Sequence, residues 1–192
     1  MSPQTYHNMA RIKYVIRLLI TLMIISPAAF SQVKDVQGPV LIDSTFNLYQ
    51  TGNLFLSGQP SRNDFSTLSL KGVTLVVNVR TKEEMERFAR DNFDEKEYLQ
   101  DLKIKYLQAG VGGKAGYHPE TIDKISEAIA ASHGKVLIHC GSAVRATMIW
   151  MAWLVKNNKC SIDEAMTLGK EARFSFPFGE LIGYPLTVQK AD

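Results

Sequence analysis

The sequence predicts an α/β protein with a mainly parallel central sheet flanked by helices. Two runs of β-forming residues, 73–79 and 135–139, show almost no polar alternation, the pattern of strands covered on both faces as in parallel sheets. Helical segments alternate with these runs, which is the βαβ arrangement. Three of those segments open on a Ser/Thr-x-x-Asp/Glu capping pattern. The composition suits such a fold. The chain has 192 residues, 45% hydrophobic and 21% charged, which excludes a disordered or collagen-like protein. That length buries a core without disulfide staples.

Residues 1–31 read as a secretory signal peptide. Arg11, Lys13 and Arg17 form the charged region, an apolar run covers 18–25, and Ala29-Phe30-Ser31 is a small-x-small site with cleavage expected after Ser31. The apolar run is short for a membrane span, which needs roughly 20 residues. The expectation is therefore a single domain over 32–192, periplasmic or secreted, with no stable membrane anchor after cleavage. Removing the three leader cations from the 22 basic residues leaves 19 against 19 acidic ones, so no broad basic field remains for nucleic-acid binding.

Within the domain, residues 46–50 and 54–57 read as short strands around the turn Thr51-Gly52-Asn53. Ser61-x-x-Asp64 opens a helix that stops at Gly72, and the buried strand 73–79 follows. Thr81-x-x-Glu84 leads one charged helix through about 101, and 104–107 reads as a strand. A glycine-rich loop occupies 109–116. Residues 119–132 place Ile122, Ile125 and Ile129 on one helical face, and Gly134 ends that helix. The strand 135–139 leads to a helix over 145–157 that is apolar nearly all round, so Trp150 and Trp153 are expected to pack in the core. Ser161-x-x-Glu164 caps a last helix.

The sharpest local feature is His139-Cys140-Gly141-Ser142-Ala143-Val144-Arg145. A buried strand ends at a cysteine, a short loop of small residues follows, and an arginine opens a buried helix. Loop N–H groups and the helix N-terminus create a positive centre. Arg145 can hold two oxygens of a phosphate or sulfate. The same field favours the thiolate of Cys140, the nucleophilic form. A cysteine alone at a strand end reads as a small buried hydrophobe; the strand-cysteine-loop-arginine-helix order turns the reading toward an anion site. His139 is expected to bond the loop rather than react, because alternation along the strand points it away from Cys140. Cys140 and Cys160 flank a helix of about 18 Å, too long for a bridge that needs Cα atoms within about 7 Å. Cys140 is therefore expected as a free thiol.

These residues carry a family resemblance. The segment from His139 to Arg145 resembles the active-site signature of cysteine-dependent protein tyrosine and dual-specificity phosphatases. Over about 45–173 the chain resembles the bacterial beta-lactamase-hydrolase-like phosphatase-like domains, through Leu56-Ser57-Gly58-Gln59-Pro60, residues 72–80 with Glu83 or Glu84, the cysteine loop, and Ser161-Ile162-Asp163-Glu164-Ala165. The resemblance implies a protein tyrosine phosphatase-like fold and two-step hydrolysis of a phosphate ester on a phosphorylated protein or small molecule, with no metal and no cofactor. Cys140 would attack phosphorus, while Arg145 and the amides of Gly141, Ser142, Ala143 and Val144 would hold the oxygens. A carboxylic acid from another loop would protonate the leaving oxygen.

Several positions depart from that pattern. Four residues separate Cys140 from Arg145 where tyrosine phosphatases usually have five. The shorter spacing matches the bacterial family and also rhodanese-type sulfurtransferases, which leaves a Cys140 persulfide as an alternative. Ala143 stands where such loops commonly carry glycine; a positive φ there would cost on the order of 1 kcal/mol. Ala146 replaces the hydroxyl residue that often follows the arginine, with Thr147 one place later. The loop expected to hold the acid, 109–118, contains no carboxylate. Glu120 and Asp123, at the start of the next helix, are the acid candidates, with His118 beside them; acidic residues there also serve the helix dipole. A noncatalytic anion-binding module is the third reading. Arg80, at a strand's C-terminal end, is expected either to line the pocket or to pair with Glu83 or Glu84.

Overall fold

Side chains on the central strands alternate between two apolar layers, and that alternation organises the molecule. Leu54, Leu56, Leu75, Val77, Val136 and Ile138 enter one buried cluster, while Phe55, Val76 and Leu137 enter another. The sheet is thus covered on both faces, as the unbroken apolar runs require. A computed structural model describes residues 36–157, 159–175 and 178–184. The signal-peptide expectation for residues 1–31 lies outside these. All described residues belong to one compact unit, 34–192.

The strands are β1 (Val40–Asp43), β2 (Leu48–Thr51), β3 (Leu54–Ser57), β4 (Val73–Asn78), β5 (Lys105–Gln108) and β6 (Lys135–His139). Their spatial order is β1-β2-β3-β6-β4-β5, with β1–β2 and β2–β3 antiparallel and the other pairs parallel. The helices are α1 (Arg62–Leu70), α2 (Lys82–Asp91), α3 (Glu95–Asp101), α4 (Pro119–Ala130), α5 (Val144–Lys156), α6 (Ile162–Gly169) and α7 (Phe178–Leu181). The first cluster holds Ile122 and Ile125 of α4, Ile149, Trp150 and Leu154 of α5, Ala165 of α6 and Phe178 of α7. The second holds Phe65 and Leu68 of α1 and Leu99 of α3. Among the described residues no helix is long and apolar enough to cross a membrane.

Both capping boxes read before α1 and α2 form, as does the one before α6. The expected single helix from 81 to about 101 is instead two. It breaks at Asn92 and Phe93, and Asp94 starts α3 by accepting from the Glu97 N–H at 3.0 Å. The cause is tertiary: Phe93 turns inward, edge-on to Phe65, Phe88 and Tyr98. The edge strand β1, with Val40, Leu41 and Ile42 exposed, was not anticipated either. What matters for the site is register. Ser57 and Asn78 both stand beside His139, and Asn78 also stands beside Gln108. The segments leaving β3, β4, β5 and β6 therefore emerge together at one edge of the sheet, where ligands of open α/β sheets bind.

Candidate active site

Cys140 is fully buried where β6 ends, and its N–H donates to the Ser57 carbonyl at 3.1 Å. The segment after β3 braces the loop: Gln59 N–H donates to the Gly141 carbonyl, and Gly58 bridges to Ser142. Only glycine fits at 58, because a Cβ there would lie 2.8 Å from the Phe46 carbonyl and 3.2 Å from that of Gly141. Ala143, the N-cap of α5, is left-handed at φ 73 and offers no side-chain cap. The first-turn N–H groups of α5 thus keep no side-chain acceptor and remain available to an anion. The positive φ considered for Ala143 is realised, with its strain. Thr147 does not replace the missing hydroxyl: its Oγ1 donates to the Ala143 carbonyl at 3.1 Å, back along its own helix.

Arg145 is clamped. Its Nη1 donates to Glu84 Oε2 at 2.7 Å and to the Val111 carbonyl at 2.9 Å, and its Nη2 donates to Glu84 Oε1 at 2.8 Å. These bonds occupy three of the five guanidinium N–H groups, leaving Nε–H and one Nη2–H for a ligand. The hydrogen bonds to Arg145 pull the Glu84 carboxyl down to about 2 against the opposing effect of burial. In return, Glu84 raises the Arg145 pKa over burial, and the Cys140 sulfur adds to that rise through its charge. Thiol and guanidinium therefore share one field. Glu84 holds this position as N3 of α2, where its Oε2 also accepts from the Thr81 N–H at 2.8 Å. The capping box thus orients the arginine's partner.

A buried network beneath the loop was not foreseen. Glu95, 2% exposed, accepts from Asn78 Nδ2 at 2.8 Å, pairs with His139 Nε2 at 2.9 Å, and accepts from Gln59 Nε2 at 2.7 Å. Burial raises its pKa, but the charge and hydrogen bond of His139 and the bonds from Gln59 and Asn78 outweigh that and leave it below the usual range. Gln59 Oε1 in turn accepts from Arg80 Nη1 at 2.6 Å. Arg80 lies 3.9 Å from Glu84 and over the Phe88 ring, so it joins the network by a long ion pair. His139 lies on the face opposite Cys140 and edge-on to Phe65, as alternation along the strand requires, but its side chain bonds Glu95 rather than the loop expected for it. No sequence pattern marked Glu95; it stood in what read as an exposed charged helix.

Of the two acid candidates, Asp123 is engaged elsewhere and Glu120 has no contact with the cysteine loop among the described residues. Asp123 pairs with Lys156, the last residue of α5. That helix is 13 residues long, so its ends are about 18 Å apart, and this pair sits at the end away from the cysteine loop. Glu120 is exposed in the first turn of α4, beside Pro119, whose carbonyl accepts from the same Lys156. His118 is the exposed N-cap of α4 and folds back on Gly116. Cys140 and Cys160 are both free. Among the described residues no group of three His, Cys, Asp or Glu side chains is placed to hold a metal.

A cysteine closing a parallel strand, an uncapped helix behind it and a clamped arginine in that helix's first turn fit the cysteine-dependent tyrosine and dual-specificity phosphatase class. Residues 54–180 match the dual specificity phosphatase catalytic domain, and the chain belongs to that family. It is 29% identical over 116 residues to the beta-lactamase hydrolase-like proteins of two Xylella fastidiosa strains, a match covering 60% of this chain and 26% of theirs. The chain therefore spans about a quarter of those relatives. In fold it is similar to Pseudomonas aeruginosa TpbA solved in complex with phosphotyrosine, with TM-score 0.57 and 15% identity over 77% of this chain and 83% of that one. Kinase-associated phosphatase gives TM-score 0.57 and 15% identity over 76% and 90%, and Tk-PTP in its active form 0.57 and 18% over 69% and 90%.

Proposed function

We propose that this chain is a phosphate-monoester hydrolase acting through a cysteinyl-phosphate on Cys140. The observation that carries the reading is Arg145: Glu84 and Val111 hold three of its guanidinium N–H groups, which leaves Nε–H and one Nη2–H for a ligand on a guanidinium that also feels the charge of the Cys140 sulfur. In the first step the sulfur attacks phosphorus, an S–P bond forms, and the ester P–O bond breaks. Arg145 and the first-turn amides of α5 stabilise the charge that builds on the equatorial oxygens. Water then cleaves the S–P bond, releasing inorganic phosphate and regenerating the thiolate. The substrate class is a phosphorylated protein or small molecule, with phosphotyrosine the first candidate because TpbA was solved with it. The leader pattern supports export to a periplasmic or extracellular site of action.

The test is hydrolysis of an aryl phosphate in the presence of a chelator. Cys140→Ser and Arg145→Ala should each reduce the rate to background. Wild-type turnover by Cys140→Ser would remove the mechanism. The four-residue spacing between Cys140 and Arg145 supports the sulfurtransferase alternative, so thiosulfate is offered in parallel. A trapped Cys140 persulfide with no phosphate release would replace the phosphatase reading. Anion binding without turnover of either substrate would leave a binding module.

A further inference from the structure

Cleavage at Cys140 leaves the departing oxygen in need of a proton. The carboxylates around the loop are poor sources. Glu84 is ionised, and both its oxygens are held by Arg145. Glu95 is buried and held by three donors below its usual range. Hydrogen bonds to the backbone at its own position and to Thr81 lower Glu83. Asp123 is engaged by Lys156 at the far end of α5.

What the 109–118 loop brings to Arg145 is a phenol. The Val111 carbonyl accepts from Arg145, and the Gly112 N–H donates to the Gly116 carbonyl at 2.8 Å. This closes residues 112–116 into a compact turn, with Gly112 at φ 92 and Gly116 at φ 64, and returns Tyr117 over Gly112. A methyl group on Gly112 would lie 3.1 Å from the Tyr117 hydroxyl oxygen and 3.8 Å from Arg145 Cδ, so both flank one point of the backbone. The Tyr117 ring packs against the main apolar cluster, and its hydroxyl has no hydrogen-bond partner among the described residues. A tyrosine hydroxyl both donates and accepts. Here it is the protic group that the loop sets beside the anion-binding arginine.

We infer that Tyr117 is the proton donor to the leaving-group oxygen, in the place a loop carboxylic acid would otherwise hold. This rests on the phosphatase reading. As the S–P bond forms and the ester P–O bond breaks, the phenolic proton passes to the leaving oxygen. In the second step the phenolate takes a proton from the water that attacks the cysteinyl-phosphate, which restores the tyrosine and frees the thiolate.

The experiment compares kcat/KM for wild type, Tyr117→Phe and His118→Gln on aryl phosphates of graded leaving-group acidity and on one alkyl phosphate. Loss of a proton donor costs on the order of 10²-fold where the leaving group is poor and little where it is good. Tyr117→Phe should therefore fall about 10²-fold on the alkyl phosphate, hold near wild type on nitrophenyl phosphate, and steepen the dependence between them. His118→Gln should follow the wild-type line. An equal loss across the series, no loss, or a steepening carried by His118→Gln overturns the assignment while leaving the phosphatase intact. A wild type inactive on every ester removes both. Should Tyr117→Phe fail to fold, site-specific fluorotyrosine at 117 keeps the ring and makes the phenol more acidic. It should move the basic limb of the alkyl-phosphate profile to lower pH, and an unmoved limb refutes the role.

Discussion

Ala143 meets the strictest backbone demand in the cysteine loop. Its φ of 73 turns the chain so that α5 begins behind Cys140, and its methyl group is fully buried. Glycine here relieves roughly 1 kcal/mol of left-handed strain but removes a buried methyl group worth about 0.8 kcal/mol. Ala143→Gly should therefore change unfolding free energy by less than about 0.5 kcal/mol. Ala143→Val adds β-branching at the same angle and extra volume in a closed site, and should lower it by about 2 kcal/mol. Urea unfolding midpoints check both: a near-unchanged value for Ala143→Gly and a lowered one for Ala143→Val. This position was legible in advance, because a small residue between a strand-end cysteine and a helix marks where the chain must reverse. Thr147 was not. Its hydroxyl was one helix position from where it was wanted, and the vacant acceptor at i−4 took it.

At the scale of elements, the site is made where β3, β4 and β6 end together. Gly58 is the seam between the β3 exit and the cysteine loop. Gly58→Ala must move the Phe46 or Gly141 carbonyl, since real Cβ atoms do not sit 2.8 Å from backbone oxygen. The expected outcome is a loss of at least about tenfold in kcat/KM from misplacing the loop, with the far-ultraviolet circular dichroism spectrum retained. Unchanged turnover would show that the seam does not position Cys140. The capping box of α2 was readable, but its second use was not: Glu84 reaches Arg145 across sixty-one residues of sequence. The helix from 81 to 101 misled because charge periodicity is blind to one phenylalanine. Burying Phe93 forced the break, and the restart at Asp94 delivered Glu95 to the core.

For the whole molecule, two carboxylates tie its parts together. Glu84 joins α2 to α5, and Glu95 joins α3 to β4, β6 and the β3 exit. Both have pKa values below their ordinary one, so each binds a proton less readily folded than unfolded. Their stabilisation is complete above the unfolded carboxylate value and is lost as pH falls through the folded one. For Glu84 that window runs from 4.5 down to about 2. Thermal stability should fall across it, and Glu84→Gln should flatten the fall; an equally steep fall in that variant would assign the acid transition elsewhere. The sequence alone determined the α/β class, the order of the main elements and the strand-cysteine-loop-arginine-helix segment, because those depend on neighbours a few residues apart. Tertiary structure decided the partner of Arg145, the buried Glu95, the pairing of Asp123 with Lys156, and the approach of Tyr117. Each of those depends on which distant side chains the sheet's register and the two apolar layers bring within hydrogen-bond reach, and no local pattern encodes that distance.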